Sequence, residues 1–159
     1  MRTAADLMTR EVFTLPARLS LAGAAWALAH RGLSGAPVRD ADGTLLGMLS
    51  ETELLEARFG GDAAVVDEGL DDLAGARAGD DDRTIADILT PALLAVAPDD
   101  PIGEVVALMI AHRAHRIVVL DDEGELLGII ATIDVVRAAA AGAIAPDVAL
   151  GAGAPAPAP

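Results

Sequence analysis

A mixed α/β fold of the α+β type, built from two β-α-β-β-α repeats, is predicted by three features of this 159-residue chain. A shift of 81 positions aligns residues 3–57 with 84–138 without a gap, and 11 of the 55 pairs are identical. A chain this rich in alanine would give about half of those by chance, so their clustering carries the argument. Six identities fall within ten positions: Val38/Val119, Asp40/Asp121, Gly43/Gly124, Leu45/Leu126, Leu46/Leu127 and Gly47/Gly128. Second, each copy carries a one-sided apolar stripe at helical spacing, Leu21, Ala24, Ala25, Leu28 and Ile102, Val105, Val106, Met109. Third, two short apolar runs separated by an acidic, glycine-containing turn follow each stripe, which is the pattern of a β-hairpin.

Taken in order, each copy opens with a short turn of helix, Ala5–Thr9 or Ala86–Thr90, and an extended piece, Val12–Leu15 or Leu93–Val96. Proline follows in both, Pro16 and Pro98. The striped helix begins at Ser20 in copy one and at Asp100-Pro101 in copy two, where Asp100 is expected to cap a helix with proline in its first position. A strand comes next (Ala36–Arg39, Ile117–Leu120), then Asp42-Gly43 or Glu123-Gly124, whose glycine supplies the positive φ that a tight connection needs. The second strand (Leu45–Leu49, Leu126–Ile130) and a final helix (Glu51–Phe59, Thr132–Ala141) complete the unit.

The expected organisation is repeat one over 1–59, an acidic linker over 60–83, repeat two over 84–141 and a low-complexity Ala/Pro/Gly tail over 142–159. The linker's Asp80-Asp81-Asp82 run has the hard oxygen ligands of a cation site, but nothing in the sequence fixes them in a cage, and a solvated linker is the simpler reading. The stretch after Ala149, Leu-Gly-Ala-Gly-Ala-Pro-Ala-Pro-Ala-Pro, lacks the side chains whose burial would offset its ordering entropy.

Hydrophobic residues make up 53% of the chain but aromatics only 2%, so the core must be aliphatic. With 25 acidic against 11 basic residues the formal net charge is −14, and all the basic residues are arginine. Nucleic acid is disfavoured as a partner, because phosphate contacts need the opposite balance. The absence of cysteine excludes a disulfide framework, a thiolate metal site and a cysteine nucleophile. No uncharged apolar run approaches the roughly 18 residues of a spanning helix, and the N-terminal residues do not read as a signal region. A soluble, cytoplasmic protein without membrane partners is expected.

The ordered set of Asp6-Leu7-Met8-Thr9, Gly35-Ala36-Pro37-Val38-Arg39-Asp40 and Asp42-Gly43-Thr44-Leu45-Leu46-Gly47 resembles a CBS (cystathionine-β-synthase) domain. So does its second occurrence, His115-Arg116-Ile117-Val118-Val119-Leu120-Asp121, Glu123-Gly124 and Leu127-Gly128-Ile129-Ile130. The likeness covers about residues 3–59 and 84–141, and the pair resembles a Bateman module. The resemblance implies two repeats packed about a pseudo-twofold axis, with clefts that take adenosine-containing ligands such as AMP, ADP, ATP or S-adenosylmethionine. It also implies a homodimer formed through the repeat helices, and a regulatory rather than catalytic role with no required cofactor.

In that family a Gly, two apolar residues, Ser or Thr, two variable residues and Asp mark a strand-to-helix turn where hydroxyl and helix N-terminus meet phosphate and carboxylate meets ribose. Copy two reads Gly128-Ile129-Ile130-Ala131-Thr132-Ile133-Asp134: the Asp is present, Ala131 replaces the hydroxyl residue, and Thr132 stands one position late. Copy one reads Gly47-Met48-Leu49-Ser50-Glu51-Thr52-Glu53, with Glu53 in place of Asp. Ser50-x-x-Glu53 is equally a capping box, and Asp134 equally a first-turn acid favoured by the helix dipole. His115 and Arg116 are similar to a phosphate-facing segment of the gamma subunit of AMP-activated protein kinase, and an arginine fork suits phosphate oxygens. The other reading is a basic helix C-terminus. His112 is expected on the surface, and with His115 it lacks a third metal ligand. Trp26 lies off its helix stripe and is the candidate interface aromatic.

These residues point to an adenine-nucleotide sensor acting on an unidentified protein, with Asp134, Thr132, Arg116, His115, Ser50 and Glu53 as ligand candidates. The rival reading is a ligand-free dimerisation or docking module with degenerate clefts. No Ser/His/Asp set stands at identifiable spacing, so no catalytic residues are assigned.

Overall fold

The computed structural model describes residues 2–59 and 82–142, so the expected linker and tail lie almost wholly outside the described residues. In chain order the elements are α1 (Ala4–Leu7), β1 (Leu15–Pro16), α2 (Leu21–Arg31), β2 (Gly35–Arg39), β3 (Leu45–Ser50), α3 (Glu51–Phe59), α4 (Ile85–Ile88), β4 (Ala95–Val96), α5 (Ile102–Ala111), β5 (Arg116–Leu120), β6 (Leu126–Ala131) and α6 (Thr132–Ala140). The repeated β-α-β-β-α topology is present. They form a mixed α/β protein with two three-stranded sheets, ordered β1-β2-β3 and β4-β5-β6.

Within each sheet the first two strands run parallel, joined by the long helix, and the last two form an antiparallel hairpin. The hairpin turns explain several repeated residues. Asp40 Oδ1 accepts from the Asp42 and Thr44 N–H groups at 3.1 Å each, and Asp121 Oδ1 from those of Glu123 and Glu125 at 3.0 and 2.8 Å. Gly43 and Gly124 then turn the chain at φ 90° and 82°, which a side chain would strain.

The chain divides into two compact units, Phe13–Leu93 and Met1–Val12 with the chain from Leu94 onward, so each repeat's opening segment is built into the unit of the other repeat. In the Phe13–Leu93 unit, the Leu21 N–H at the start of α2 donates to Arg83 O at 3.1 Å, and the Ile85 and Ala86 N–H groups donate to Leu19 O and Ala17 O at 2.9 Å. In the other unit, the Ile102 N–H donates to Arg2 O at 3.1 Å, while the Ala4 and Ala5 N–H groups donate to Asp100 O and Pro98 O at 2.9 Å. Backbone carbonyls from the incoming segment thus satisfy orphan donors of the long helices.

This pairing also corrects the expected start of the second long helix. Pro101, bridged to Thr3, stays extended (φ −61°, ψ 138°) and is itself the N-cap, with no side-chain cap. Asp100 instead closes the turn before it, accepting from the Ala97 N–H at 2.8 Å. In α2 the expected cap is present: Ser20 Oγ accepts from the Gly23 N–H at 3.1 Å.

Each unit has its own aliphatic core. Leu15, Leu21, Ala24, Leu28, Val38, Leu49 and Ile85 form one; Ala4, Met8, Val96, Val105, Met109, Ile117, Val119 and Ile130 form the other. The stripes face these cores with two departures, since Ala25 is exposed and Val106 only half-buried.

Candidate functional site

In the repeat-two unit, four chain ends converge: the C-terminus of α5, the start of β5, the end of β6 and the start of α6. Their register is set by the hairpin, which pairs Arg116 with Ala131 and Ile117 with Ile130. Arg116, half-buried, therefore stands beside the strand-to-helix turn that carries Thr132 and Asp134. The turn is closed by His115, whose carbonyl oxygen accepts from the Thr132 N–H at 3.0 Å and from its hydroxyl at 3.2 Å.

Asp134 holds the first turn of α6. Its Oδ2 accepts from the Ala131 N–H at 2.9 Å, and its Oδ1 lies 3.8 Å from Arg137 NH1. Ala131 has no hydroxyl to return the bond, so only the acidic half of a capping box exists here. The carboxylate side chain is 18% exposed, while the arginine beside it is 74% exposed, so that pair is well solvated and holds the acid only weakly.

An apolar cavity of about 450 Å³ opens between α5 and α6. Val106, Met109, Ile110, Ala114 and Val135 supply its apolar lining, and Arg113, His115 and Thr132 its polar edge. Two of the expected ligand residues, His115 and Thr132, thus line this cavity; Arg116 and Asp134 do not. Arg113 had no signal in the sequence beyond its place in the basic segment His112-Arg113-Ala114-His115-Arg116. Its backbone is in the left-handed region at φ 50°, where a residue other than glycine costs about 1 kcal/mol. Among the described residues no group of three or more His, Asp or Glu side chains converges on a metal-sized site.

The corresponding turn of repeat one is built differently. Ser50 lies opposite Gly35 in the hairpin, so no side chain occupies the place that Arg116 has in repeat two. The Ser50 N–H and hydroxyl both donate to Glu53 Oε2 at 2.8 Å, and Ser50 Oγ accepts from the Glu53 N–H at 3.3 Å. This is a complete, reciprocal capping box. His112 is exposed as the C-cap of α5, and Trp26 is 67% exposed on α2, stacked on His30 with ring centroids 4.9 Å apart and planes within 7°.

The CBS domain family model matches the chain twice, at residues 4–60 and 85–141. The chain belongs to the CBS domain family. Its tandem CBS pair is similar to solved structures of the same kind. A crystal structure of CBSX2 in complex with AMP is 26% identical, with 89% of this chain and 98% of that chain covered and a TM-score of 0.70; CBSX2 is a CBS-pair protein of Arabidopsis thaliana. The CBS-domain protein ATU1752 of Agrobacterium tumefaciens is 25% identical, with 86% and 92% covered and a TM-score of 0.68. The MJ1426 protein of Methanocaldococcus jannaschii is 27% identical over 126 residues, 67% of this chain and 73% of that protein.

Proposed function

We propose that this CBS pair is a regulatory module that binds an adenosine-containing ligand, AMP foremost, at the repeat-two strand-to-helix turn and passes the change to a partner protein. The observation that carries this reading is the likeness to CBSX2, solved with AMP, across 89% of the chain. Asp134 is assigned to the ribose, since the two oxygens of a carboxylate match a vicinal diol. Arg116 is assigned to phosphate with His115 as a second donor, and Thr132 to the helix N-terminus where amides and dipole favour an anion. The −14 charge of the chain disfavours ATP relative to AMP, although screening limits that effect to roughly 8 Å at physiological salt.

In repeat one, Ser50 and Glu53 are assigned to structure. Each satisfies a backbone donor of the other, and Glu53 carries one more methylene than the acid it replaces. A homodimer formed through the repeat helices, with Trp26 on α2 in the interface, and a cytoplasmic location complete the reading. No helix among the described residues is long and apolar enough to cross a membrane. The test is isothermal titration of the full chain with AMP, ATP, S-adenosylmethionine and NAD. Micromolar heat with AMP supports the sensor; no heat and no thermal shift with any of the four favours a docking module with degenerate clefts.

A further inference from the structure

The two long helices end alike. In α2 the residue after the helix, Gly32, is left-handed (φ 63°, ψ 32°), and the Leu33 N–H reaches back to Leu28 O at 2.9 Å. After α5 the Ala114 N–H reaches back to Met109 O at 2.8 Å, but the left-handed residue is Arg113, the one non-glycine residue at positive φ among the described residues. Glycine takes this conformation without steric cost and arginine does not. Repeat two therefore keeps a strained cation where repeat one has the residue that suits the backbone. Strain that persists in a fold is a reason to look for function at that residue.

The strained arginine stands at the edge of the α5–α6 cavity. About 450 Å³ lies within the size of small-molecule pockets, roughly 300–1,000 Å³. Its aliphatic floor, Val106, Met109, Ile110 and Val135, suits a hydrocarbon body. Of the polar groups at the edge, the Thr132 hydroxyl is already spent on His115 O. Arg113 and His115 remain as donors, and neither side chain bonds to another of the described residues. A guanidinium fork matches a carboxylate with two parallel hydrogen bonds, and a single negative charge is disfavoured less than a polyanion by so acidic a chain.

We infer that this cavity is a binding site for a small aliphatic carboxylate, its chain on the α5–α6 floor and its carboxylate on Arg113. The cavity shares His115 and Thr132 with the AMP reading but takes in neither Asp134 nor Arg116, and its carboxylate anchor, Arg113, has no part in that reading, so octanoate binding that depends on Arg113 is tested independently of AMP.

The experiment titrates octanoate and 1-octanol into the full chain, the wild type beside Arg113→Gly and Val135→Trp. Octanoate binds saturably to the wild type and at least about tenfold more tightly than 1-octanol, a difference of one charge-assisted contact. Arg113→Gly weakens octanoate about tenfold while raising the melting temperature by about 2–4 °C, because it relieves the left-handed backbone. Val135→Trp, which fills the floor, also weakens it. The proposal is overturned by octanoate binding that Arg113→Gly leaves unchanged, by equal affinity for octanoate and 1-octanol, or by no saturable octanoate binding at millimolar concentration. It is equally overturned if octanoate binding disappears as dimer forms at higher protein concentration, which would give the cavity to a second copy of the chain.

Discussion

Gly128 lies so close to Met8 that a Cβ at Gly128 would stand 2.5 Å from the Met8 sulfur and 2.9 Å from the Met8 Cβ. The opening segment is pinned there, because Thr9 and Ile129 exchange backbone hydrogen bonds at 2.9 and 3.0 Å. Gly47 has the matching role in the other unit, where a Cβ would meet Thr90 O at 3.0 Å. Gly128→Ala is therefore expected to cost about 1–3 kcal/mol, the usual penalty for overpacking a filled site. Urea denaturation measures it, and the cycle with Met8→Ala should show a coupling of at least about 0.5 kcal/mol. A Gly128→Ala variant as stable as the parent would show that the opening segment does not lie against the β5–β6 hairpin.

The repeat itself was legible because its shared residues do identical local work. Asp6 and Asp87 accept from the Thr3 and Thr84 N–H groups at 2.9 and 2.6 Å, Asp40 and Asp121 close hairpins, and Gly47 and Gly128 admit an incoming segment. Which unit each opening segment joins could not be read, since Ala5, Asp6 and Thr9 are identical to Ala86, Asp87 and Thr90 and satisfy either hairpin equally in pattern. The strained turn at Arg113 was invisible for a different reason. Arginine carries no signal for a left-handed cap, and the cavity depends on how α5 and α6 diverge, a tertiary quantity. Asp134 and Arg116 were picked out by family resemblance alone, and the hairpin register sets Arg116 opposite Ala131, the residue before the helix that carries Asp134.

Leu28 tests the core of the Phe13–Leu93 unit. It is fully buried among Leu15, Val38, Leu49 and Ile85. The buried neighbours are all aliphatic, and Phe13 packs only at the partly buried edge of this core. Leu28→Ala should cost about 2–5 kcal/mol, a large share of the roughly 5–15 kcal/mol of a typical domain. Ala25→Ser, on the exposed face of the same helix, should change stability by no more than about 0.5 kcal/mol. Equal urea midpoints for the two variants would contradict the packing described.

Glu53 and Asp134 separate structure from ligand binding. Both accept a backbone N–H at the start of their helix, at 2.8 Å from Ser50 and 2.9 Å from Ala131. Replacing either by alanine removes a cap and should cost about 1 kcal/mol. Their effects on AMP affinity should differ. Asp134→Ala loses about tenfold or more, the worth of a charged hydrogen bond, whereas Glu53→Ala stays within about twofold. Titration calorimetry on the two variants decides it, and equal losses would mean that repeat one also holds ligand.

Trp26 bears on assembly. At 67% exposure it contributes little to the core, and its stack on His30, within 7° of parallel, presents a flat apolar plate on α2. Tryptophan is enriched among the few residues that dominate interfaces, where truncation costs 2 kcal/mol or more. Trp26→Ala should therefore leave the urea midpoint of the dilute chain nearly unchanged while weakening self-association by about thirtyfold, the equivalent of about 2 kcal/mol. Sedimentation velocity over a concentration series reads this directly. If the variant self-associates as tightly as the parent, the α2 face is not the interface. If its stability falls by more than about 1 kcal/mol in the dilute chain, the ring is part of the fold rather than a contact surface.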